Sequence, residues 1–266
     1  MQYKFLTPTT LKAPFGWVGG KSRLAKDIIE LMPPHKRYIE VFGGGLSVLY
    51  AKPKLKGSGS NKYSEVVNDI NGDLINLHTI IKTRPQSFSN MLNHFLCSRE
   101  IFYKIKAGKI KPKNNLEKAA LYYYLLVFSF ASKGDNFVMC KSRPPKNIYR
   151  DYSVWSKRLK GVCIENMDFV RLIQEYDSVD SFFYLDPPYV GTESYYKIEG
   201  KFGLEQHKQL ADILRNIQGK CIVSYNDCVL VRELYKDFRI LQTREVRYSM
   251  NVQVRKLAKE VLIMNY

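Results

Sequence analysis

An apolar run at residues 181–185 halts at Asp186-Pro187-Pro188-Tyr189. A strand buried on both faces that stops at an acid puts a carboxylate at the C-terminal edge of an α/β sheet, where such folds bind ligands. The two prolines fix the backbone and carry no amide hydrogen, so the turn offers carbonyl oxygens without competing donors. An aromatic ring follows at once. An amine conjugated to a base ring is a weak nucleophile because its lone pair is delocalised, and it turns cationic as it attacks a methyl group. Acceptors set against its two hydrogens, here the Asp186 carboxylate and a main-chain carbonyl near Pro187, localise the lone pair and stabilise the growing charge. Tyr189 is suited to stack on a base flipped out of a duplex. The same acceptors suit other planar amines, so a cytosine amine, RNA and a protein amide stay open as targets at this point.

Such a turn needs a second half to hold the group that reacts, and the first third of the chain has the elements for one. Residues 21–31 have helical spacing through Leu24, Ile28 and Leu31 and are closed by Pro33-Pro34. Residues 38–42 read as a short strand, Gly43-Gly44-Gly45 breaks it, and residues 46–51 read as a helix. A surface loop at 56–61 leads to a strand at 64–69 and a helix at 74–81. Strand, glycine turn, helix and acid-ended strand are the layout of a nucleotide-type cofactor site. The turn fits an adenosyl ligand and dinucleotides alike, although EVFGGG lacks the spaced GxGxxG of the latter. Asp69 is placed to accept both ribose hydroxyls. In Trp17-Val18-Gly19-Gly20-Lys21 the glycines permit close backbone approach, Lys21 is able to meet a carboxylate, and Trp17 offers a flat face to a sulfonium or a ring.

The α/β rhythm returns after about residue 160, with strands at 162–165, 181–185, 221–224 and 260–264 and a helix at 207–217. Between the two halves the chain changes character. The net charge is +17, and residues 76–160 hold 17 Lys or Arg against 4 Asp or Glu, so +13 of it sits in the middle. A basic middle between nearly neutral ends points to one module that meets a polyanion. That module, residues 82–155, carries lysine-rich loops around a helical run at 116–130, whose three tyrosines read as packing, and ends at Arg143-Pro144-Pro145-Lys146. The five cysteines form no CxxC pair and the four histidines no HExxH, so we expect reduced thiols and no metal site. The N-terminus lacks the apolar core of a secretory signal, and the longest apolar stretch, 121–131, is too short to span a bilayer, so the expectation is a soluble protein of the cytoplasm.

Taken together, WVGGK, EVFGGG, NDIN at 68–71, ENMDF at 165–169 and DPPY resemble, in their order, the Dam-like family of adenine-N6 DNA methyltransferases, which includes phage and restriction-system members. The resemblance covers nearly the whole chain. It implies a Rossmann-like catalytic sheet formed by residues 1–81 and 156–266, with a mostly helical target-recognition domain, 82–155, inserted. It implies S-adenosylmethionine as cofactor and double-stranded DNA as partner, with the protein a monomer when free. It also implies a catalytic loop at Asp186, Pro187, Pro188 and Tyr189, and cofactor contacts at Trp17, Lys21, Phe42, Gly43, Asp69 and Asp186, with the cofactor's adenine near Asp168 and Phe169. Phe202, His207 and Leu210, then Ser224 to Asp227, then residues 259–263, match further blocks of the family. His207, a lone histidine with no paired acid, reads as structural. The loop at 129–143 departs from that of the GATC-specific members, so the recognition sequence stays open; Lys133, Asn136, Lys141 and Arg143 are the candidates for DNA contact. Two other readings are weighed beside this one: a catalytically silent DNA-binding module, and an amino-methyltransferase acting on cytosine N4 or RNA.

Overall fold

The computed structural model describes residues 6–55, 63–139, 144–193, 202–243 and 260–266. Their strands are β1 (Arg37–Glu40), β2 (Ser64–Asn68), β3 (Val162–Glu165), β4 (Ser181–Leu185), β5 (Lys220–Asn226), β6 (Arg239–Gln242) and β7 (Glu260–Met264). The helices are α1 (Ala25–Leu31), α2 (Ser47–Ala51), α3 (Gly72–Thr83), α4 (Pro85–Leu92), α5 (Arg99–Lys106), α6 (Asn115–Phe128), α7 (Ser153–Leu159), α8 (Phe169–Tyr176), α9 (Leu204–Arg215) and α10 (Val229–Leu234).

All seven strands join one sheet in the order β3-β2-β1-β4-β5-β7-β6. The first five are parallel, whereas β7 runs antiparallel to both β5 and β6. The chain winds outward from β1 in one direction to β2 and β3, then returns to lay β4 on the other side of β1. Such a switch point opens a crevice at the C-terminal ends of the two central strands. This is a Rossmann-like sheet, the α/β class expected. Every residue of β4 and β7 is buried, which explains why both read as unbroken runs rather than alternations.

Each face of the sheet has its own core. On one, Ile28, Leu49, Leu77 and Ile81 pack with Phe88, Phe102, Tyr124 and Tyr152, so the helices of the basic segment share a core with α1, α2 and α3. On the other, Ile39, Val66 and Phe183 lie beneath Leu172, Leu210 and Val231 of α8, α9 and α10. The first core is fastened at depth by ions. Arg158 of α7 grips Glu65 of β2 through two bonds (2.7 and 2.9 Å), and Lys52 reaches the same carboxylate at 2.9 Å.

Several boundaries move from their expected places for local reasons. α1 begins at Ala25 because Leu24 and Ala25 both donate to Lys21 O, which winds residues 21–24 into turns. α6 ends at Phe128 because Ser129 leaves helical geometry and bridges to Phe137. The loop expected at 56–61 lies outside the described residues. Of the three tyrosines in the run, Tyr123 and Tyr124 are fully buried as packing requires, but Tyr122 turns its hydroxyl to accept from Asn71 Nδ2 at 3.1 Å.

Candidate active site

The site is built on the two strands that flank the switch point. After β1, Gly43 N–H donates to Asn68 O at the end of β2 (2.7 Å), and a Cβ on Gly43 would stand 2.9 Å from that oxygen. Gly44 has φ of +50°, and its Cβ would stand 2.6 Å from the Trp17 indole. Only glycine lets the turn lie between β2 and the indole. Asp69 ties the turn down: Oδ2 accepts Gly44 N–H and Oδ1 accepts Asn71 N–H, both at 2.9 Å. From the opposite side His78 Nε2 donates to Gly44 O at 2.8 Å. Burial pushes the Asp69 carboxyl up, with the two amides opposing. Burial takes His78 down to about 4, so the ring is a neutral donor.

The loop after β3 closes the far wall. Asn68 donates to Val41 O and Met167 O (both 3.0 Å) and accepts Met167 N–H (2.9 Å), while Asn166 donates to Asp69 O at 2.7 Å. Asp168 caps α8 by accepting Val170 N–H at 2.8 Å. This capped start presents Phe169, which forms a three-ring cluster with Phe42 and Phe202, centroids 5.7 to 5.8 Å apart.

β4 delivers Asp186. Its Oδ1 accepts from Lys21 Nζ at 2.8 Å and from Ser224 Oγ of β5 at 2.9 Å. Among the described residues both bonds fall on Oδ1, so Oδ2 keeps its lone pairs for an incoming donor. Burial pushes the Asp186 carboxyl up, and Lys21 opposes the shift. Lys21 is 3% exposed, donates also to Gly19 O at 2.7 Å, and holds its ammonium 4.8 Å from the centre of the Tyr189 ring. Behind Asp186, Glu40 of β1 accepts Tyr38 O–H (2.7 Å) and Leu49 N–H (3.0 Å), and burial pushes its carboxyl up to about 8 against those bonds. After the prolines, Asn226 accepts Val190 N–H at 3.1 Å and donates to Val190 O at 3.2 Å, which pins the loop to β5.

These groups surround one cleft of about 760 Å³. Trp17, Lys21, Phe42, Gly43, Asp69, Asp168, Phe169 and Asp186, the residues expected to hold the cofactor, all line it. Pro188 and Lys133 line it too, whereas Pro187 is buried and Tyr189 half-buried beside it. Asn136 is exposed, with its carbonyl taken by Phe130 N–H (3.1 Å). Lys141 and Arg143 lie outside the described residues. The sequence reading passed over Glu40, Lys106, Tyr122 and Gln206 as site residues, all of which line the cleft. It also took His207 to lack an acid, yet His207 Nε2 meets Glu193 Oε1 at 3.2 Å and Nδ1 meets the Tyr225 hydroxyl at 2.6 Å. Among the described residues no three His, Cys, Asp or Glu side chains cluster to hold a metal ion. No described helix is long and apolar enough to cross a membrane.

Known proteins are similar to this chain along nearly its whole length. A type II methyltransferase of a Paramecium bursaria Chlorella virus is 23% identical over 94% of this chain and 98% of its own length. A DNA adenine methylase of Haemophilus influenzae is 25% identical over 97% and 95%, and one of Escherichia coli 24% over 93% of each. The family model described as D12 class N6 adenine-specific DNA methyltransferase matches residues 17–250, a span that runs from Trp17 through the glycine turn, the basic segment and Asp186. The chain belongs to the D12 class of N6 adenine-specific DNA methyltransferases.

Proposed function

We propose that this enzyme takes its methyl group from S-adenosylmethionine and places it on N6 of an adenine within a short context of double-stranded DNA. The observation that carries this reading is Asp186: a carboxylate at the switch point with one oxygen tied to Lys21 and Ser224 and the other left for a donor. The residues of the cleft fit the cofactor. The glycine turn is a cradle that a Cβ would fill, Asp69 supplies an acid at its edge for ribose hydroxyls, and Phe42, Phe169 and Phe202 form an apolar wall for an adenine ring. When bound, S-adenosylmethionine supplies an electrophilic methyl group on a sulfonium.

The chain's own residues supply the rest. Asp186 accepts one hydrogen of the adenine amine, and a carbonyl of the proline turn the other, so the lone pair is directed at the methyl and the growing positive charge meets preorganised acceptors. Lys21 acts on Asp186 rather than on substrate, holding it in place and favouring its ionised form. Tyr189 packs against the flipped base. The segment 82–155 meets DNA, with Lys133, Asn136, Lys141 and Arg143 as its contacts, and the free enzyme is a monomer working in the cytoplasm of a bacterial or phage-infected cell. The test is expression in a host free of DNA methylation, followed by mapping of modified adenines. Modified adenine in one repeated context is the expected result; unmodified DNA beside soluble protein overturns the reading.

A further inference from the structure

Glu260 opens β7, whose other four residues are apolar and buried. It is itself 0% exposed. A carboxylate at such depth is costly unless it is engaged. Because β7 runs antiparallel to β5, its first residue stands opposite Asn226, at the C-terminal edge of the parallel strands and so at the same edge as Asp186. There Glu260 Oε1 accepts the phenol proton of Tyr189 at 2.7 Å. The backbone is fixed at the same point, since Glu260 O accepts Thr243 N–H (2.9 Å) and the Thr243 hydroxyl (3.1 Å).

The bond anchors the hydroxyl end of the Tyr189 ring. Two further contacts of the ring are the Lys21 ammonium, 4.8 Å from the ring centre, and the Tyr225 ring, 6.1 Å away and tilted by 35°. Neither fixes rotation about the ring axis, because cation–π and tilted aromatic contacts are broad in angle. A phenol donated to a carboxylate is short and directional. The Glu260 carboxylate also adds to the upward push on Asp186, which places its charge within electrostatic reach of the reacting centre.

We propose that Glu260 is a positioning residue for methyl transfer, fixing through its bond to Tyr189 the ring against which the target base packs. The proposal rests on the reading above in which Tyr189 meets the base. Glu260→Gln keeps the volume and an acceptor but loses the charge-assisted bond, and is expected to lower kcat about tenfold. The dissociation constant for S-adenosylmethionine, measured by calorimetry, should stay within about twofold, since the change does not touch the cofactor half. Tyr189→Phe keeps the ring and removes the hydroxyl, so its kcat should fall by a similar factor, and the double variant should be no slower than the slower single one. A Glu260→Gln enzyme with unchanged kcat, or losses that multiply in the double variant, overturns the proposal. If Glu260→Gln is insoluble, Tyr189→Phe decides alone: normal turnover overturns the proposal and slowed turnover supports it. Tyr189→Ala with normal turnover would instead remove the ring from base binding, a failure of the earlier reading that Tyr189→Phe and Glu260→Gln do not by themselves produce.

Discussion

Asp186 is held by one cation and one hydroxyl on a single oxygen, and its chemistry can be dissected at that level. Asp186→Ala should lower kcat by about a thousandfold or more, as loss of a preorganised transition-state partner does, while the circular dichroism and melting curve stay near wild type. Single-turnover methylation of a short duplex measures the first and thermal melting the second. Lys21→Met tests the coupling. In the proposed mechanism Asp186 works ionised, so transfer should be lost as pH falls through its pKa; burial raises that pKa and Lys21 opposes the rise. Without the ammonium, the acid limb of the kcat–pH profile should move to higher pH. An unmoved limb would show that Lys21 serves only the cofactor. Asp186 was legible in the sequence because it ends an apolar strand, and Asp69 because it ends the strand that follows the glycine turn. The partners of Asp186 were not. Ser224 and Lys21 reach it from β5 and from the turn before α1, contacts that only the sheet order creates. Tyr122 was hidden for a different reason: it sits in one run with Tyr123 and Tyr124, and no local signal separates the ring that bonds Asn71 from the two that pack.

Elements place these groups, and two of them carry their own tests. The glycine turn tolerates no side chain at Gly44, where φ is +50° and a Cβ would stand 2.6 Å from Trp17. Gly44→Ala should weaken S-adenosylmethionine binding about tenfold or more by calorimetry, because both the backbone and the indole must shift. Strand β1 carries Glu40, whose carboxyl is pushed from 4.5 to about 8 by burial. The native state then keeps a proton that the unfolded chain gives up, so this group stabilises less as pH rises from about 4.5 to about 8. His35 and His78, both taken from 6.5 to about 4 by burial, act in the opposite sense between those values. The wild-type Tm minus that of Glu40→Gln isolates the first effect and should decrease between pH 5 and 8. β3, β4 and β7 stand at the expected residues, the last two marked by apolar runs. β6 escaped because its four residues alternate weakly at the sheet edge, where none is buried. α8 and α10, of eight and six residues, were not read from the sequence.

Across the whole molecule, the charge is unequally placed, with +13 of +17 on residues 76–160. If that segment lies on phosphates, raising salt from about 50 to about 200 mM should weaken DNA binding about a thousandfold. Replacing Lys104, Lys109, Lys111 and Lys113 by Gln should flatten the slope of log affinity against log salt. A slope that does not change would place the DNA elsewhere. Composition alone marked this segment as distinct, yet its packing was invisible to it: Phe88, Phe102, Tyr124 and Tyr152 share one core with Ile28, Leu49 and Leu77, and Arg158 is clamped to Glu65 of β2. That shared core bears on how such enzymes acquire new target sequences. A segment that could be cut out cleanly would let recombination trade specificities wholesale between relatives. Here a transplanted segment would bring part of an unmatched interior, so new specificity is expected to arise by point changes at the exposed positions of the 129–139 loop, such as Asn136, and chimeras joined near residues 82 and 155 to fold poorly while loop grafts fold well.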